Sequence, residues 1–285
     1  MRITGTGIWG EPPDRDVARA VLKEAVALGV DHIDTADSYG PAVSEELIAE
    51  ALHPYPPGLV IATKGGYLRE GPFQWRADGR PAHLRAACEE SLRRLRLESI
   101  PLYYLHTPDH AVPFEESIGA LRELRDEGKI RHVGLSNVGL DELRQAERTV
   151  PVAAVQNRYN LADRSHEQLL RGCEGAEIAF IPWWPLSKGS LARGRNRILK
   201  GIAADHGATP AQIALAWLLH RSPATLPIPG TSAPAHLREN VAAATIELLE
   251  EEMGRLEGFR APRRVPQPVR QVAKRVLRYL PLRRR

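Results

Sequence analysis

Four residues able to hold or move a proton stand at the ends of apolar runs. Asp34 and Tyr39 lie in DHIDTADSYG (residues 31–40), Lys64 in ATKGG and His106 in YYLHTPD. A phenol is a poor acid at neutral pH, but an ammonium beside it favours the phenolate and lowers its pKa. Lys64 is the expected neighbour of Tyr39. A buried ammonium needs an anion of its own, and Asp34 supplies one. His106 can then donate a hydrogen bond to a substrate oxygen and orient it. Singly, each has a plainer reading: Lys64 as a snorkelling surface residue, His106 as a structural histidine, Tyr39 as a turn ring, Asp34 as a cap. Gathered on one face of a fold, the four make a proton-delivery device. Asp37, between Asp34 and Tyr39, reads as a turn residue or a charge on the rim of the site.

Such a face requires strands that end side by side. Between residues 30 and 232 the chain repeats one unit: a short apolar run, a polar or Gly-rich turn, then an amphipathic segment. The runs are VDHIDTA, LVIATK, IPLYYLH, IRHVGLSN, VAAVQN, IAFIPWW and ATLPIPG, which makes seven strand candidates. The helices between them carry start and stop signals. Asp14 precedes RDVARAVLKEAVALG, in which Val17, Val21, Leu22, Ala25 and Val26 share a face and Gly29 suits the C-terminal cap. RPAHLRAACEESLRRL repeats that design with Leu84, Ala87, Cys88, Ser91, Leu92 and Leu95. Strands alternating with helices imply a parallel sheet covered on both faces, hence an α/β fold. A (β/α)8 TIM barrel collects its functional residues at the C-terminal ends of the strands, where polar residues gather here. The rival, an open doubly wound sheet, would use GTGIWG (residues 5–10) as its glycine-rich turn, with Asp34 as its ribose-binding acid. That turn leads into EPPD rather than into a helix, so it offers no helix N-terminus to a pyrophosphate.

The bulk composition suits one large domain. The chain has 285 residues, 43% apolar and 26% charged, enough to bury a single barrel core. There is no leader-like apolar run at the start and no stretch long enough for a membrane span, so the expected location is cytoplasmic. Cys88 and Cys173 read as core thiols on helices. The net charge of +4 is unevenly spread, because residues 262–285 hold nine basic residues and no acidic one, leaving residues 1–261 five negative. The expected organisation is a barrel domain over 1–261 and a basic tail over 262–285. Val269, Val272, Ala273, Val276, Leu277 and Leu280 of the tail fall at helical spacing, which suits weak contact with an anionic surface. Nothing there points to specific nucleic-acid recognition.

HIDTADSYG, ATKGG, YYLHTPD, EGKIRHVGLSN, VQNRYN and IPGTSAPAHLREN, taken together, resemble the aldo-keto reductase family in that family's order and spacing. The resemblance covers about residues 3–258. It implies a TIM barrel that transfers a hydride between NADPH and an aldehyde or ketone without metal, with Asp34, Tyr39, Lys64 and His106 as the catalytic set. It further implies that Ser136, Asn137 and Gln156 hold the nicotinamide carboxamide and that Trp183 stacks on the ring. Gly230, Thr231 and Ser232, with Arg238 and Asn240 nearby, would hold the adenosine phosphate at a helix N-terminus. A finer resemblance, in TGTGIWGEPPDR, SYGP, ALHPYPP and AWLLHRSP, is to the bacterial pyridoxal reductase-like branch. It implies a small aromatic aldehyde as substrate, with Trp9 lining the pocket.

Two departures qualify those expectations. Gly230 and His236 stand where relatives often carry a lysine and an arginine for the 2′-phosphate, which keeps NAD as the alternative cofactor. Relatives also have an apolar strand before the position of Met1, so the first barrel strand is expected to be truncated, or reduced to RITGT by a shortened gene model. The alternative function is a cofactor-binding regulatory or redox-sensing subunit with negligible turnover.

Overall fold

The computed structural model describes residues 3–193 and 196–259. The basic tail expected over 262–285 lies outside the described residues. In chain order the elements are α1 (Arg15–Ala27), β1 (His32–Asp34), α2 (Val43–Leu52), β2 (Val60–Gly65), β3 (Tyr67–Gly71), β4 (Gln74–Ala77) and α3 (Pro81–Leu95). They continue with β5 (Ile100–Leu105), α4 (Phe114–Asp126), β6 (Ile130–Ser136), α5 (Leu140–Glu147), β7 (Val152–Arg158), α6 (Glu167–Gly175) and β8 (Ala179–Trp183). Helices α7 (Arg197–Asp205), α8 (Pro210–Arg221), α9 (Pro234–Ala242) and α10 (Glu250–Glu257) complete the chain.

Six strands form one parallel sheet in the order β1, β2, β5, β6, β7, β8. That order follows the chain without the reversal an open doubly wound sheet requires, so the fold is a TIM barrel and GTGIWG is no nucleotide turn. The sheet curves far enough for its strands to enclose a space. Val60, Ala62, Leu102, Tyr104, Ala154, Ala179, Ile181 and Ile228 pack together in its interior. Below them a cavity of about 280 Å³ is lined by residues from every sheet strand, His32 on β1 through Ala179 and Ile181 on β8, and by Leu226.

The barrel is incomplete among the described residues. ATLPIPG is not a strand. Its ladder stops at one bridge between Thr225 and Phe180, where Phe180 N donates to Ala224 O (2.7 Å) and Leu226 N to Phe180 O (2.9 Å). Pro227 and Pro229 remove the N–H groups that further pairing would need. At the other edge, residues 3–10 form turns rather than a strand. Ile3 is nonetheless buried there, in a cluster with Leu22, Ile33, Leu47 and Leu95.

The helices follow their sequence signals closely. Asp14 caps α1 by accepting from Asp16 N and Val17 N, and Gly29 ends that turn at φ +85°. The buried face of α1 is Ala18, Val21, Leu22 and Ala25, while Val17, expected to be buried, is 42% exposed. α3 starts with Pro81 in its first turn and buries Leu84, Ala87, Cys88, Ser91 and Leu95. Cys88 and Cys173 are free and buried, and burial pushes both thiols up to about 12.

One antiparallel hairpin, β3–β4, had no counterpart among the strand candidates. It leaves the end of β2 and stands over the C-terminal face of the barrel, with Tyr67 paired to Ala77 and Leu68 to Arg76. Its apolar content is low because it packs on one edge of the site rather than in the core. The Gly71–Pro72 pair was the available turn signal.

Candidate active site

Strand alternation fixes which side chains reach the barrel mouth. Along β2, Ala62 and Lys64 point inward while Thr63 points out to the helices; Leu102 and Tyr104 do the same on β5. The register sets Asp34 beside Ala62 and Lys64 beside Tyr104, so the acid, the ammonium and His106 end adjacent strands at one level. Gly134 opposite Tyr104 keeps that ring in place, since a Cβ there would lie 2.3 Å from the tyrosine Cδ1.

Lys64 is fully buried and Asp34 is 7% exposed. The ammonium donates to both carboxylate oxygens of Asp34 and to Thr35 O, each at 2.7 Å. Gln156 Nε2 donates to Asp34 Oδ1 at 2.7 Å. Burial depresses the Lys64 pKa, and Asp34 opposes that shift. The Lys64 Nζ lies 5.4 Å from the centre of the Tyr39 ring. His106 meets the same ring edge to face, with centroids 5.7 Å apart. All four expected residues therefore share one site.

Two electrostatic expectations change. The Tyr39 phenol was expected to be made more acidic by Lys64; its pKa is instead raised, by burial first and then by Asp34, Asp37 and Tyr67. The main reason is desolvation of the phenol, to which the negative charges of Asp34 and Asp37 add. The phenol therefore holds its proton firmly. Asp37 stands in the turn after β1, as one of its two expected readings had it, and is partly buried rather than a charge on the rim. Its Oδ1 has no hydrogen-bond partner, and burial beside Glu45 pushes its pKa up to about 8. His106 is held well below its ordinary value by burial, Lys64 and Arg69, in that order. Its neutral ring approaches Ser38 Oγ through Nδ1 at 3.4 Å.

The residues expected around a nicotinamide stand on the next strand ends. Ser136 closes β6, and Asn137 follows in a left-handed conformation with φ +60°. Asn137 Nδ2 donates to His106 O (3.0 Å) and Ser136 Oγ (3.1 Å), while its Oδ1 accepts from Trp183 Nε1 at 3.2 Å. Asn137 thus braces β5, β6 and β8 against one another. Trp183 is half-buried and Trp184 is 39% exposed, and the two rings meet edge to face. Neither indole is packed in the core.

The turn before α9 carries the residues expected around the adenosine phosphate. Ala233 is the N-cap and provides no side-chain cap, and Pro234 opens the first turn. Thr231 Oγ1 accepts from Ala233 N at 3.0 Å, Asn240 Nδ2 reaches Pro229 O at 3.5 Å, and Gly230 and Ser232 are exposed. Arg238, expected beside the phosphate, pairs with Glu24 of α1 at 2.6 Å. The backbone of Trp9, expected to line the pocket, is bridged to Gly40 directly after Tyr39.

Sequence reasoning missed Ser38, Tyr67, Arg69 and Trp75. The Tyr67 ring lies 4.7 Å and the Trp75 ring 6.2 Å from the His106 ring, centroid to centroid. These residues belong to the hairpin and to a loop, where no periodic pattern marks them.

A parallel barrel with an Asp–Tyr–Lys–His group at the ends of its strands is an oxidoreductase architecture, and the chain belongs to the Aldo/keto reductase family, whose model matches residues 2–261. It is 49% identical over 257 residues to an oxidoreductase of Schizosaccharomyces pombe, covering 90% of this chain and 83% of that one. It is 42% identical to pyridoxine 4-dehydrogenase of Escherichia coli, over 91% of this chain and 92% of the relative. Among solved structures, it matches an aldo/keto reductase of Klebsiella pneumoniae in complex with NADP and acetate at TM-score 0.75 and 30% identity, over 90% of each chain. A glycerol dehydrogenase from Gluconobacter oxydans matches at TM-score 0.81 and 27% identity, covering 88% of this chain and 86% of that one.

Proposed function

We propose that the protein reduces the carbonyl of a small aromatic aldehyde, of the pyridoxal type, with NADPH. The observation that carries this reading is the buried Lys64–Asp34 pair beside Tyr39 and His106. When bound, the nicotinamide supplies the hydride. Tyr39 gives its proton to the substrate oxygen, and the neutral His106 holds that oxygen by a hydrogen bond. The Lys64 ammonium stabilises the phenolate that Tyr39 becomes, while Asp34 and Gln156 keep Lys64 in place. The residues present suit the cofactor: Ser136, Asn137, Gln156 and Trp183 line one wall, and Gly230, Thr231 and Ser232 form the uncapped turn before α9, with Arg238 and Asn240 behind it. Both pyridoxine 4-dehydrogenase similarity and the aromatic lining from Trp9, Tyr67 and Trp75 support the substrate class.

Tyr39→Phe tests the reading. It should lower aldehyde-dependent NADPH oxidation by about 100-fold or more and leave NADPH binding unchanged by fluorescence titration. A wild-type chain that binds NADPH yet turns over no aldehyde would favour the regulatory-subunit alternative.

A further inference from the structure

Arg69 on β3 has an unusual set of partners. Its guanidinium donates to five main-chain carbonyls from three separate segments. Nε donates to Gln74 O (3.0 Å), Nη1 to Ile8 O (3.0 Å) and Ser38 O (2.9 Å), and Nη2 to Gly7 O (3.0 Å) and Gly71 O (3.3 Å). A guanidinium has five N–H groups, so its donor capacity is used in full. Its Cζ lies 3.6 Å from the centre of the Trp75 ring and 5.6 Å from that of Trp9. Among the described residues no carboxylate forms an ion pair with it, in contrast to Lys64.

These contacts join the 5–10 segment, the loop between β1 and α2, and the β3–β4 hairpin. Ser38 and Tyr39 are neighbours in that loop, and Trp75 of the hairpin meets both Tyr39 and His106 edge to face. We propose that Arg69 is a positioning residue: it clamps these three segments into the substrate-side wall of the site, where its charge acts on Tyr39 and His106. The second half rests on the proposed reductase roles of those two residues; the clamp does not.

The direction of the charge effect follows from the surroundings. The ionisable groups that face Tyr39 are Lys64 on β2, Asp34 on β1, Asp37 in the following loop, and Tyr67 and Arg69 on β3; those that face His106 are Lys64, Arg69 and the phenols of Tyr39 and Tyr67. Arg69 favours the Tyr39 phenolate, against the larger opposing effects of burial and the nearby acids. Lys64 and Arg69 both oppose protonation of His106. Removing the Arg69 charge should therefore raise both pKa values. A lysine would keep the charge but could not fork to five carbonyls.

Arg69→Lys and Arg69→Gln in the full chain separate the two halves. Hydrogen exchange read by mass spectrometry should show the amides of residues 5–10 and 71–76 exchanging about tenfold faster in both variants, with the remainder of the barrel unchanged. With NADPH and a pyridoxal-type aldehyde, both variants should raise KM about tenfold with a smaller effect on kcat. Only Arg69→Gln should move the acidic and alkaline limbs of the kcat/KM profile upward, by about one pH unit. Wild-type exchange in both variants overturns the clamp. An unshifted profile in Arg69→Gln overturns the charge role, and loss of folding in both variants makes Arg69 a residue of global stability and overturns the proposal. A wild-type chain without turnover defeats the reductase reading, while the exchange measurement still decides the clamp.

Discussion

At the scale of the residue, the centre of the site is a buried ion pair whose members cannot be separated cheaply. Lys64→Met leaves the Asp34 carboxylate buried without its cation, which should cost about 3–5 kcal/mol in urea unfolding and abolish measurable aldehyde reduction. Asp37 makes a prediction of its own, because its carboxyl sits at about 8 in the fold against roughly 4 in an unfolded chain. The folded protein thus binds a proton that the unfolded chain releases, so this group makes stability fall as pH rises from about 4 to about 8. Asp37→Asn should flatten that decline and stabilise the protein most at pH 8, as read by urea midpoints across the range. Two residues from Asp37, at Tyr39, a shift in the same direction keeps the proton on the group proposed to donate it.

At the scale of the element, close approach between strands decides which residues fit. On the outer face of the barrel, a Cβ at Gly65 of β2 would lie 2.1 Å from the Tyr103 hydroxyl of β5. That hydroxyl is buried without a hydrogen-bond partner. Gly65→Ala should destabilise the protein by about 1–3 kcal/mol through overpacking. Tyr103→Phe alone should be near neutral, and combined with Gly65→Ala it should recover part of the loss, measured as a double-mutant cycle in urea. The helices were the most legible elements, since Asp14, Gly29 and Pro81 carry their caps and turns locally. The last strand candidate and the hairpin were not. ATLPIPG has the apolar content of a strand, yet its prolines stop the ladder after a single bridge. YLREG and QWRA are mostly polar and form a hairpin because Arg69 and the rings around it pack on the site.

At the scale of the whole molecule, the barrel brings four residues from the ends of three strands, β1, β2 and β5, into one mouth and leaves a cavity at the other end. Binding at that mouth should stabilise the fold as a unit. NADPH at about 100 times its Kd should add about 2.7 kcal/mol to unfolding stability, visible as a higher Tm, and NADH at the same concentration should add less. Equal stabilisation by the two would count against the proposed preference. No helix among the described residues is long and apolar enough to cross a membrane.

The sequence by itself determined the alternation of strands and helices, the family, and the four residues that meet at the mouth. Those signals are local: periodicity, caps and the spacing of short motifs. Only the tertiary structure decided how the four interact. It desolvates the Tyr39 phenol so that its proton is held more firmly, sets a carboxylate oxygen of Asp37 where it has no hydrogen-bond partner, and joins three separate segments through Arg69. Each of these depends on burial and on through-space charge between residues far apart in the chain, and a sequence pattern records neither.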